Sequence, residues 1–178
     1  MKESNLLIST YWGQEKKALH FLSQHGEFKR SGFKDVLLGH VEDVNLFLEK
    51  MERMRQEEPE RINFISQIVP LERTFYFELP QFMDRLKEVL LPYVERIGEQ
   101  RFYVRVRRRG HKGDFSSQEV EKGIAEFLIE NLEKFGKEAH VSFRDPEMIV
   151  VIETIANWAG VSLITKAMKE AFPFVRVK

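Results

Sequence analysis

Between Arg101 and Lys112 the chain reads RFYVRVRRRGHK, with six arginines and lysines set among aromatic and branched apolar residues. Phe102, Val104 and Val106 alternate with Tyr103, Arg105, Arg107 and Arg109, the period-two pattern of a half-buried strand. That pattern predicts the valines in a core and Tyr103 on a solvent face with three arginines. Planar guanidinium forks match the paired oxygens of a phosphate, and a neighbouring ring offers a surface for sugar or base. Arg101, Arg108, His111 and Lys112 extend the cationic row into a loop whose glycines let an anion come close to the backbone. The set Arg101, Tyr103, Arg105, Arg107, Arg108, Arg109, His111 and Lys112 is therefore the candidate site, and its chemistry is that of gripping an RNA backbone. The competing readings are a solvated sheet face, or arginines salt-bridged to glutamates of the helix that begins near Ser117.

Other chemistry finds little support. Gly110-His111-Lys112-Gly113 has the spacing of the GxxG clamp of KH domains, but that clamp joins two helices and here a strand precedes it. The five histidines show no paired ligand spacing, so no metal is expected. Asp145, Glu147 and Glu153 could be imagined around Mg²⁺ or as an acid-base group, yet strand alternation and the Asp145-Pro146 turn account for them more simply. No serine occupies a nucleophile elbow and no Gly-rich loop opens a helix. Cysteine is absent, which removes disulfides and thiol chemistry. The expectation is a non-catalytic protein with no catalytic residue and no cofactor.

With 28 basic and 28 acidic residues the formal charge is zero, so attraction to a polyanion has to come from a local patch. A composition 43% hydrophobic and 31% charged is that of a globular chain. No apolar run reaches membrane-spanning length or resembles a signal peptide, and a cytoplasmic protein without membrane contact is expected.

The elements that must position the basic strand follow from periodicity and punctuation. Strands are predicted at 5–11, at 27–30 and 33–41 around the turn Ser31-Gly32, and within 63–69. Helices are predicted at 14–25 and 42–57. The order strand, helix, strand, strand, helix, strand is that of a ferredoxin-like βαββαβ domain. A boundary near residue 72 separates domains 1–72 and 73–178. The second opens with a helix over 81–97 bent at Pro92, continues into the basic strand 101–109, and then into a helix opened by the capping-box pair Ser116 and Glu119 and closed at Gly136. Strands at 139–143 and 148–154, a helix at 165–172 and a last strand at 174–177 complete the α+β reading.

FYVRVRRRG, a helix opened by SSQEVEKGIAEFL, and then DPEMIVVIETIANWAGVSLI together resemble the THUMP domain, an RNA-binding module of tRNA-modifying enzymes. The upstream segment resembles the ferredoxin-like domain that usually precedes it, so the likeness covers nearly the whole chain. Ser142 and Ala156 depart from it, standing where Asp and Gly are common. The resemblance implies an N-terminal ferredoxin-like domain followed by a THUMP-like α/β domain, and tRNA as the partner. Because no residues are left over for a catalytic domain, the chain looks like the stand-alone tRNA acetylation adaptors. By that resemblance it would present tRNA to a cytidine acetyltransferase that makes N4-acetylcytidine. A protein-protein interaction module that binds no RNA is the alternative.

Overall fold

The computed structural model describes residues 1–177 and divides into two compact units. The first comprises Met1–Thr74 together with the segment from Ala167 onward, and the second is Phe75–Lys166.

In the first unit, β1 (Leu6–Thr10), α1 (Glu15–Leu22), β2 (Glu27–Arg30), β3 (Val36–His40), α2 (Val44–Glu57) and β4 (Ile65–Pro70) follow in the expected order. The strands form an antiparallel sheet in the order β2-β3-β1-β4, the split βαβ arrangement. Asp43 starts α2 because its carboxylate accepts the otherwise orphaned Leu46 N–H at 2.9 Å. A glycine is required at Gly39, where an added Cβ would lie 2.2 Å from the Phe28 ring on the paired strand.

The second unit holds α3 (Phe82–Leu90), α4 (Tyr93–Ile97), β6 (Arg101–Arg107), α5 (Ser117–Lys134), β7 (His140–Val141), β8 (Met148–Ile155) and β9 (Trp158–Thr165). β5 (Arg73–Tyr76) spans the boundary and forms the outer strand of a five-stranded sheet ordered β5-β9-β8-β6-β7. The basic strand β6 runs parallel to both neighbours, and β8 and β9 form an antiparallel hairpin. Phe102, Val104 and Val106 of β6 meet Leu86, Leu90, Ile124 and Leu128 of the helices in one core. Ser116 accepts the Glu119 N–H and so opens α5 as the capping pair requires.

Several expectations need correction. The helix over 81–97 is two helices, because Pro92 lacks an N–H to continue the ladder. Residues 158–165 form β9, a full strand that periodicity did not indicate; it alternates little because both of its faces are buried. Its hairpin turn places Ala156 at φ 50°, which explains why a glycine would also suit that position. The C-terminal helix is shorter, α6 (Lys166–Ala171), and residues 174–177 form no strand. They belong instead to the first unit: the Phe174 carbonyl accepts the Ile68 N–H, and the Arg176 guanidinium donates to the Ser66 carbonyl, at the outer edge of β4. The first unit therefore uses chain that a boundary near 72 assigns to the second.

Candidate nucleic-acid interface

The register of β6 follows from its central place in the sheet. Val104 and Val106 are buried against the helices, as expected, while Arg105 and Arg107 project from the other side and are half-buried. Tyr103 does not share their exposure: only 8% of it is accessible. Its ring is covered by Phe143 at 5.3 Å between centroids, and the Arg105 guanidinium lies 5.5 Å from it. Phe143, Tyr103 and Arg105 thus form one contact cluster, the two rings tilted by 39°, with Phe143 71% exposed.

The cationic row is more heavily engaged than alternation suggests. Arg101 sits between Asp145 at 3.0 Å and Glu147 at 3.4 Å. Asp145 is held below the usual carboxylate range chiefly by the hydrogen bond from Lys166 and also by Arg101, and Glu147 chiefly by the Arg101 backbone N–H. Arg105 reaches Glu121 of α5 at 3.6 Å, and the same carboxylate accepts the Val106 N–H at 2.8 Å. Glu121 thereby satisfies a backbone donor that the two-residue β7 is too short to reach.

Arg109 is not on the solvent face. The strand ends at Arg107, and beyond it the Arg109 backbone bonds Thr154 and Ala156 at the end of β8. Its side chain is 13% exposed and pairs with Glu153, which is fully buried. Burial pushes the Glu153 carboxyl up from its ordinary value, against the opposing pull of Arg109 and Arg107. Arg108 donates to the Gly110 carbonyl at 2.7 Å and lies over the Phe115 ring. His111, at φ 53°, turns its ring inward against Phe77 and Phe115 and bonds Asp114 at 3.0 Å, so it is no free backbone contact. Lys112 alone among these loop cations is exposed.

Sequence reasoning missed the groove beside the cluster. It measures about 320 Å³ and is lined by Tyr103, Phe143 and Val141 on the sheet side and by Gln118, Glu121, Lys122, Glu126 and Ile129 of α5. Lys122 is 79% exposed at its rim, in a loose pair with Glu126 at 3.9 Å, and Arg144 is exposed next to Phe143. An exposed aromatic beside exposed cations is the combination that accepts a base on its face and a phosphate at its edge. The signal was present as Phe143-Arg144 just ahead of the Asp145-Pro146 turn, but nothing local distinguishes an outward aromatic there from a core one. Among the described residues no group of three or more His, Asp or Glu could hold a metal ion, and no helix is long and apolar enough to cross a membrane.

Residues 79–164 match the family model of the THUMP domain, a span that lies inside the second unit. No curated protein sequence matches the chain. Among solved structures, TrmN from Thermus thermophilus superposes with a TM-score of 0.64 at 20% identity, over 89% of this chain and 44% of its own. A 4-thiouridine synthetase, solved as an RNA complex with bound ATP, gives 0.57 at 13% identity, over 91% and 41%. PH1313 from Pyrococcus horikoshii gives 0.54 at 13% identity, over 91% and 55%. These likenesses establish the fold, and the chain spans at most 55% of the length of the three.

Proposed function

We propose that the THUMP domain of this chain binds tRNA, with the Phe143-Tyr103-Arg105 cluster and the rim cations Lys112, Lys122 and Arg144 as its contact surface. The observation that carries this reading is the exposed aromatic packed on the basic strand, inside the segment that matches the THUMP family. The likeness to a 4-thiouridine synthetase crystallised with RNA supports it. Ring and guanidinium take bases and ribose, and the lysines take phosphates, so affinity is dominated by charge and falls steeply with salt.

The finer proposal is that the chain is not itself the catalyst. It acts as an adaptor that presents tRNA to a modifying enzyme, such as the cytidine acetyltransferase that forms N4-acetylcytidine. Filter binding of tRNA to the purified chain at moderate salt tests the first step, and absence of binding removes it. Acetylcytidine formation by a purified acetyltransferase, with and without this chain, tests the second.

The ion pairs of Arg101, Arg105 and Arg109 favour a second reading, in which these arginines serve the fold and the chain is a protein-interaction module. Charge reversal at Arg105 and Arg107 separates the two, because it abolishes RNA binding only under the first.

A further inference from the structure

The most exposed large apolar side chain described is in the first unit. Trp12 is 80% exposed and its neighbour Tyr11 52% exposed, in the loop between β1 and α1. The loop is held in place: the Thr10 N–H bonds the Asp35 carbonyl at 2.9 Å, the Tyr11 N–H bonds the Phe64 carbonyl at 3.0 Å, and the Gly13 N–H donates to the Asp35 carboxylate at 3.1 Å. Gly13 takes φ 75°, a conformation that suits glycine and turns the chain back toward the helix. An indole fixed in this way and left to solvent is a large unfavourable apolar exposure that the core does not require.

One lysine lies over it and a second over a ring that its loop touches. The Lys34 ammonium lies 4.9 Å from the Trp12 ring, and the Lys17 ammonium 5.4 Å from the ring of Phe64, whose carbonyl anchors Tyr11. Neither lysine forms an ion pair among the described residues. The nearby acids are occupied: Glu15 pairs with Arg30 at 3.2 Å, and Asp35 holds the Gly13 N–H. Beyond Tyr11 a groove of about 350 Å³ continues past Asn63 and Ser66 to Arg176, whose guanidinium donates to the uncharged Ser66 carbonyl and pairs with no carboxylate among the described residues. A flat exposed ring with a lysine ammonium against it, and further cations along the same unit, fits an unpaired nucleobase with its neighbouring phosphates, and sequence-tolerant stacking of this kind binds single strands.

We propose that Trp12 is a stacking platform for an unpaired base of RNA, with Lys34 and Lys17 on the flanking phosphates. The proposal rests on the reading of the chain as an RNA binder and adds to it a single-strand contact on the first unit.

The test uses the full chain carrying Trp158→Phe, which leaves Trp12 as its only tryptophan. The probes are a twelve-nucleotide oligoadenylate, an RNA duplex of the same length and tRNA. The oligoadenylate is expected to quench Trp12 emission saturably and the duplex to leave it unchanged. Trp12→Ala should weaken oligoadenylate binding by about fivefold or more, and Trp12→Phe should retain most of it. Lys34→Ala should lower the log-log salt slope by about 0.7. Thermal melting of each variant should match the parent, since both side chains lie outside the core. If tRNA binds while Trp12 emission stays silent and Trp12→Ala binds as tightly as the parent, the platform is overturned and the tRNA reading stands. If the parent chain binds neither tRNA nor oligoadenylate, both fall.

Discussion

Arg109 looked like part of an RNA grip in the sequence and is a structural ion-pair partner in the fold, and one substitution separates the two roles. Arg109→Ala takes from the buried Glu153 carboxylate the guanidinium paired with it and leaves Arg107 as the other cation acting on it, one of its oxygens, Oε1, already having no hydrogen-bond partner among the described residues. Removing one member of a buried pair costs about 3–5 kcal/mol, because the remaining charge loses its partner, and the field of Arg107 sets this variant toward the lower end. In a unit of this size each kcal/mol moves the melting temperature by about 4–8 °C, so the second unit should melt at least about 12 °C lower at neutral pH. The deficit should depend on pH with a definite sign. Burial raises the Glu153 carboxyl in the folded protein, so the ionised form opposes folding and the stability contributed by the protonated form is lost as pH rises through the folded value. Without Arg109 that value rises further, and the gap between variant and parent should narrow as pH falls toward the ordinary carboxylate range. The assay is urea unfolding of both proteins between pH 4.5 and 8, with tRNA binding measured where both are folded. A variant as stable as the parent that binds tRNA several-fold more weakly would refute the reasoning, since Arg109 would then be a ligand-facing charge.

Replacing Arg105 and Arg107 by Ala should leave the fold intact and lower the salt slope of tRNA binding by about 0.7–0.9 for each lost phosphate contact, whereas Val104→Ala with Val106→Ala should cost a few kcal/mol in the core, on the order of what large-to-small substitutions cost; melting and binding curves of the two double variants check this. Asp145→Asn with Glu147→Gln frees Arg101 from two carboxylates and should tighten tRNA binding at low salt, as read by filter binding. Both carboxyls are depressed in the folded state, so whatever support they lend is present above the ordinary carboxylate value and lost as pH falls through the lowered one. Truncation after Lys166 removes the buried Phe174 and Val175, each contributing about 1.5–3 kcal/mol, and should lower the melting temperature of the first unit.

Much of this architecture was legible because local pattern and tertiary need agree. The alternation of β6, the Ser116 cap and the strand-helix order of the first unit each follow from short-range chemistry. What escaped depends on partners distant in sequence. β9 is buried on both faces and carries no alternation to detect. Tyr103 obeys the period of its strand, yet Phe143, forty residues later, covers it. Arg109 continues the same alternation on paper, but the strand has ended and Glu153 draws it inward. The return of residues 174–176 to β4 could not be read from their composition, which suits an edge contact in either unit.

The central claim is that tRNA lies across the Phe143-Tyr103-Arg105 cluster. Ultraviolet crosslinking of the full chain to tRNA carrying photoreactive 4-thiouridine, followed by mass spectrometry of the crosslinked peptides, locates the contact directly. Crosslinks at Phe143 or Tyr103 and in the peptides holding Lys112 and Lys122 are the predicted result. Efficient crosslinking that never falls between residues 101 and 144 would contradict it.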